Sequence, residues 1–202
     1  MHVNTSLQPG TPDLQTLLRQ SEAQHRHLCP RQVLGVRMGM LAARLLSLPM
    51  PQQDKRILTI VETDGCFADG VTAATGCSLG HRTMRLADYG KIAATFIDTR
   101  EGRAFRIAPL PDLRTRAAQS IPEAGKRWRA YLDAYQRIAD EEMFAVREVA
   151  LNLDVKATIG KPGTRAACAQ CAEEIINQRE VVRDGRVLCL SCAGDSYWRA
   201  KS

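Results

Sequence analysis

The sequence predicts an α+β fold, in which a small mixed sheet packs with helices, a long helix closes the core, and a small metal-stapled domain follows. Three observations carry this. Strand-like runs are few and short, and they are separated by segments of helical period. An apolar stripe of helical spacing runs from Ile121 to about Leu151. Two C-x-x-C pairs, Cys168/Cys171 and Cys189/Cys192, lie close to the C-terminus. The chain has 202 residues, 45% hydrophobic and 25% charged, as expected for one medium domain and a small appendage.

In chain order, residues 1–12 read as a disordered lead, and residues 13–156 as the core. Asp13 to His25 forms a first helix, with Leu14, Leu17 and Leu18 on one face. Pro30 opens a second helix at its favoured first-turn position, and Pro49 and Pro51 stop it after about Leu48. Gly35, Gly39, Ala42 and Ala43 make a smooth stripe along it, suited to close backbone approach, while Arg37 and Arg44 give one polar edge. It reads as a central buried helix. Ile57 to Glu62 is a strand by its β-branched content, ending at Thr63-Asp64-Gly65-Cys66. A short helix from Phe67 to Ala74 stops at Gly76. Ile92 to Asp98 and Ala104 to Ile107 are strands joined by a hairpin turn at Thr99-Arg100-Glu101-Gly102. The long helix follows, its face marked by Trp128, Tyr131, Leu132, Tyr135, Ile138, Val146 and Val149, with Glu142 as the exception. Residues 157–167, rich in Gly and Pro, form a linker.

Residues 168–202 carry the strongest chemical signal. A tetrahedral Zn²⁺ takes four thiolates, and two C-x-x-C knuckles joined by a short hairpin supply them. Val181 to Leu188 reads as two strands around Asp184-Gly185, which makes the tail zinc-ribbon-like. Two structural disulfides are the competing reading. A tail this small needs such a staple, because it buries little core. A closed set of Cys168, Cys171, Cys189 and Cys192 has no open position, so its zinc is expected to be structural.

Composition excludes several classes. No apolar run reaches the roughly 18 residues of a membrane span, since Arg37 and Arg44 interrupt Val33 to Met50. The N-terminus lacks a basic start followed by an apolar run, so no secretory signal is expected. Seven cysteines, an odd number, suit a reducing cytoplasm. The formal net charge of +6 is spread without a dense Lys/Arg block, which makes nucleic acid an unfavoured partner.

The other cysteines, Cys29, Cys66 and Cys77, stand near His25, His27 and His81. Cys29 precedes one helix and Cys66 the next. Helix N-termini stabilise anionic sulfur, so the two are expected to be thiolate-prone and to meet at one end of the sheet. Cys77 lies too far along the third helix to share an ion with Cys66 unless the helix breaks or a second protomer intervenes. Asp69, one turn after Cys66, is the available carboxylate.

His25-Arg26-His27-Leu28-Cys29-Pro30, the run from Cys66 through Asp69 and Gly76-Cys77 to Gly80, and Asp88-Tyr89-Gly90-Lys91 with Arg106 resemble the FmdE family, which takes its name from formylmethanofuran dehydrogenase. The resemblance spans residues 15–155. Arg26 and Arg31 stand where that pattern commonly has glycine, and His81 where it often has lysine. The tail is similar to the four-cysteine finger of the DksA/TraR type. The resemblance implies an α+β core, a homodimer, and a second metal site at His27, Cys29, Cys66 and Cys77. The leading functional expectation is a cytoplasmic metal-binding accessory protein that serves a metalloenzyme partner. Its core metal is a transition ion that residue types do not identify. The alternative is a metal- or cysteine-dependent enzyme using Cys66, Cys29 and Asp69. A weaker one is a transcription-linked factor acting through the finger. The aromatic face of the long helix is expected to build the homodimer.

Overall fold

The computed structural model describes residues 10–120, 127–160 and 163–201. It divides into two compact units, Met1–Val155 and Lys156–Ser202. The α+β class is as expected.

In the first unit, α1 (Leu14–His25) starts at Asp13, whose carboxylate accepts the Thr16 N–H at 2.8 Å. Such a cap satisfies one of the orphan donors of the first turn. Arg26 ends the helix in the left-handed region at φ 67°. This explains why glycine is common at the corresponding place in the resembling pattern. The next helix, α2 (Pro30–Leu46), is buried on most of its circumference. After it come β1 (Ile57–Val61), α3 (Cys66–Thr75), β2 (Met84–Leu86), β3 (Ala94–Asp98) and β4 (Ala104–Pro109). Then follow α4 (Leu113–Ser120), α5 (Arg127–Arg137), α6 (Asp140–Met143) and β5 (Phe144–Glu148).

The sheet order is β2-β1-β3-β4-β5. The β1/β2 pair is parallel and the other pairs are antiparallel. Phe96, Ile107 and Ile57 belong to one core with Phe67, Leu17 and Met38 of the helices. The α2 stripe does what small residues permit. A Cβ at Gly35 would lie 2.4 Å from the Phe67 carbonyl oxygen and 2.8 Å from the Val71 nitrogen. One at Gly70 would lie 2.3 Å from the Gln32 carbonyl oxygen, and one at Gly39 2.5 Å from the Ala74 Cβ. The helices therefore touch backbone to backbone and advance in the same direction, Gly35 opposite Phe67 and Gly39 opposite Ala74. Their N-terminal ends, bearing Cys29 and Cys66, lie together.

The long helix from Ile121 to Leu151 is not formed. Residues 121–126 lie outside the described residues, α5 ends at Arg137, and 144–148 is strand β5 on the edge of β4. The physical reason is on α2. Arg37 donates to the carbonyls of Tyr135 at 2.9 Å and Ile138 at 2.8 Å, capping the end of α5. Arg37 and Arg44 both pair with Asp140 in the following turn. Of the aromatic face expected to build a homodimer, Tyr135 and Phe144 are buried in this chain's own core, while Trp128 is half exposed.

In the second unit, α7 (Val155–Ile159) overlaps its start. Two hairpins follow, β6 (Arg165–Ala167) with β7 (Glu174–Ile176), and β8 (Val181–Arg183) with β9 (Arg186–Leu188). The expected linker at 157–167 thus includes helix and strand. Residues 161–162 lie outside the described part, as do residues 1–9 of the expected lead. Asp184 and Gly185 take φ of 50° and 74°, the left-handed pair a two-residue hairpin turn requires. Among the described residues, no helix is long and apolar enough to cross a membrane.

Candidate functional site

Cys29 is the N-cap of α2, with extended backbone. Its own N–H donates to the Gln32 side-chain oxygen at 2.7 Å, and the Gln32 amide donates to the carbonyl and hydroxyl of Ser21 at 3.0 and 2.9 Å. These bonds lock the turn that follows α1. Burial pushes the Cys29 thiol up, the N–H groups of Gln32 and Arg31 pull it down, and the Cys66 side chain pushes it up again. The net direction is upward. The expected thiolate at Cys29 is therefore corrected: the helix terminus is present, but loss of water and a neighbouring sulfur outweigh it.

Cys66 begins α3, and Asp69 stands one turn later on the same side. His25, the last residue of α1, lies between them. Its Nε2 is 2.9 Å from Cys66 Sγ, and its Nδ1 is 2.8 Å from Asp69 Oδ2. An ionised Asp69 accepts from Nδ1–H, which leaves the Nε2 lone pair facing the Cys66 S–H. The result is a carboxylate–imidazole–thiol relay. The same arrangement orients a metal-binding imidazole or a base that takes a thiol proton.

Sequence reasoning named Cys66 and Asp69 but missed His25 as their link. The H-x-C spacing points to His27, whose ring lies 4.9 Å from that of His25. The missing information is the packing of α1 on α3, which brings a helix C-terminus to a helix N-terminus. Cys77 stands apart. It is fully buried, accepts from the Thr59 hydroxyl at 3.3 Å, and has a thiol pushed up by burial.

Cys29 and Cys66 line a cavity of about 860 Å³. Leu34, Ile92 and Leu113 give it an apolar side, and Trp128 and Tyr135 an aromatic one. Arg106 also lines it, held by Glu62 through bonds of 2.5 and 2.7 Å.

The tail builds a second centre. Cys168 and Cys171 lie in the turn between β6 and β7, and Cys189 and Cys192 directly follow β9. All four sulfurs lie within 4.8 Å of one another, and among the described residues they are the one such group of three or more His, Cys, Asp or Glu ligands. The core residues are not preassembled in this way. The Cys189 N–H donates to Cys168 Sγ and the Cys192 N–H to Cys189 Sγ, both at 3.3 Å. Backbone N–H groups of Cys171, Cys189 and Gln170 bring Cys168 down to about 6. Cys192, hydrogen-bonded to Cys189 and facing the other sulfurs, is pushed up to about 12. Four sulfurs cannot all ionise here without a cation to neutralise them, so the donor set fits a thiophilic metal ion.

Comparison with known proteins adds a family. The profile described as "FmdE, Molybdenum formylmethanofuran dehydrogenase operon" matches residues 24–145. A curated relative from Archaeoglobus fulgidus, described as a probable S-adenosyl-L-methionine-binding protein, is 29% identical over 205 aligned positions. The match covers 91% of this chain and 54% of the relative, so the chain spans about half that protein's length. The crystal structure of a tungsten formylmethanofuran dehydrogenase FmdE-like protein from Syntrophus aciditrophicus is similar, with a TM-score of 0.56 and 20% identity. That likeness covers 96% of this chain and 100% of the other, and it concerns the fold. The tail lies outside the matched family residues.

Proposed function

Because this chain belongs to the FmdE family, we propose that it is a metal-binding accessory protein of a metalloenzyme, with a transition-metal site at Cys66, Cys29 and His25 and a structural zinc in the tail. The observation that carries the core reading is the Asp69–His25–Cys66 relay at the wall of the cavity. A carboxylate that fixes an imidazole tautomer and aims the other nitrogen at a sulfur is the outer-shell arrangement of a metal-binding histidine. Cys29 supplies a second soft donor from the neighbouring helix end. His27 is close enough to His25 to join if its ring turns, whereas Cys77 is committed to the core around Thr59. Bound there, a transition ion would be open to ligand exchange, as insertion or hand-over demands.

A cysteine-dependent enzyme is the second reading, favoured by the 860 Å³ cavity, which exceeds what an ion alone occupies. There His25 takes the Cys66 proton and the sulfur adds to a substrate carbonyl carbon, the π electron pair moving to the carbonyl oxygen. The relative's description raises S-adenosylmethionine as the ligand. The cavity wall counts against it, because among the described residues its charged lining is Arg and Lys, the wrong sign for a sulfonium.

Iodoacetamide with peptide mapping tests the site. In metal-free protein Cys66 gives its proton to His25, the sulfur displaces iodide, and Cys66 is alkylated faster than buried Cys29 or Cys77. His25→Ala is expected to slow Cys66 at least tenfold. Added Ni²⁺ or Zn²⁺ is expected to protect it by a similar factor. Protection absent with His25 dependence intact favours the enzyme. Loss of both removes the site.

A further inference from the structure

We infer that the core cleft binds a small anion carrying a flat aromatic ring. This rests on the reading of the cleft as the functional site and names the class of molecule that occupies it beside the thiols.

The sign of the charge comes from the wall. Arg31, Lys91, Arg106, Arg114 and Arg127 line the cavity, and among the described residues no Asp or Glu does. Arg106 is neutralised by Glu62. None of the other four is ion-paired with a carboxylate among the described residues. Arg114 instead lies over the Tyr131 ring, 5.3 Å from its centroid, and Lys91 lies 5.9 Å from that of Tyr89. Cations of one sign around a concave, partly apolar space focus the field and concentrate anions. Guanidinium groups add paired donors that match carboxylate or phosphate.

The ring preference comes from the aromatics. Tyr131 and Tyr135 are stacked on each other, with centroids 6.0 Å apart and planes 13° apart, and Arg114 covers Tyr131 as well. Those rings have partners. Trp128 lines the same cavity and is 49% exposed, so it offers a face for a ligand ring. The volume of about 860 Å³ is that of a small-molecule site.

Calorimetric titration with three matched probes tests this on the full chain: 2-naphthyl phosphate, neutral 2-naphthol and cationic 2-naphthylmethylammonium. The phosphate is expected to bind at least tenfold more tightly than either other probe, and inorganic phosphate to compete with it. Arg31→Gln combined with Arg114→Gln is expected to cut the preference below threefold. Trp128→Leu is expected to weaken all three probes while leaving the order unchanged. Equal binding of the three, preference for the cation, or no binding at millimolar concentration would overturn the inference. A Cys29→Ser/Cys66→Ser protein separates the two proposals. Anion preference retained there without core metal leaves this inference standing by itself. Anion preference absent from wild type that still shows metal protection of Cys66 overturns this inference alone.

Discussion

Cys168→Ser is expected to release the tail metal and unfold the residues after about 165, while the core keeps its structure. The four sulfurs lie within 4.8 Å of one another, and among the described residues the cluster of buried apolar residues around them is limited to Cys168, Ile175, Leu188 and Ala193. So small a core does not offset the entropy of ordering the tail, at about 1–2 kcal/mol per residue. The ligand bonds must supply the difference, on the order of 10 kcal/mol for a structural zinc. Heteronuclear NMR of the variant should show tail resonances collapsing to unfolded positions with core resonances in place. A chelator should reproduce the effect on wild type. A tail that stays dispersed in metal-free variant protein would show that its two hairpins fold unaided.

Gly35→Ala is expected to have the next largest effect, this time on the core. The added methyl would meet the Phe67 carbonyl oxygen at 2.4 Å and the Val71 nitrogen at 2.8 Å. Both are backbone atoms of α3, so no side chain can swing aside. Overpacking of this kind costs about 3 kcal/mol. Relief requires α3 to move away from α2. Since α3 starts at Cys66 and α2 is capped by Cys29, the shift would also part the thiols from each other and Cys66 from His25. Denaturant unfolding should show the loss of stability, and the iodoacetamide assay should show slowed Cys66 alkylation in the protein that remains folded. Ala43→Gly, on the same helix, would lower helix propensity by about 1 kcal/mol without altering the Cys66 rate, which separates general destabilisation from displacement of the site.

Local chemistry made much of this architecture legible. The small-residue stripe on α2 announced a backbone-close neighbour, Asp184-Gly185 announced its hairpin, and Gly76 ended α3 at φ 74° as expected. The failures share a cause, which is that the deciding contact is distant in sequence. The stripe from Trp128 to Val149 has helical spacing, yet Arg37 stops α5 and the free edge of β4 recruits Phe144–Glu148. Glu142, the polar interruption, marked the place. Strand β2, three residues long, is too short to announce itself and owes its place to pairing with β1. At the site, Cys29, Cys66 and Asp69 could be read from turns and helix starts. His25 could not, because its role depends on α1 crossing the start of α3.

Metal content per chain, measured by elemental analysis in wild type and in Cys29→Ser/Cys66→Ser, tests the central claim most directly. Two metal ions per wild-type chain are predicted, one of them lost in the double variant while the tail metal is retained. A single metal per chain, unchanged by the double substitution, would contradict a metal site in the core.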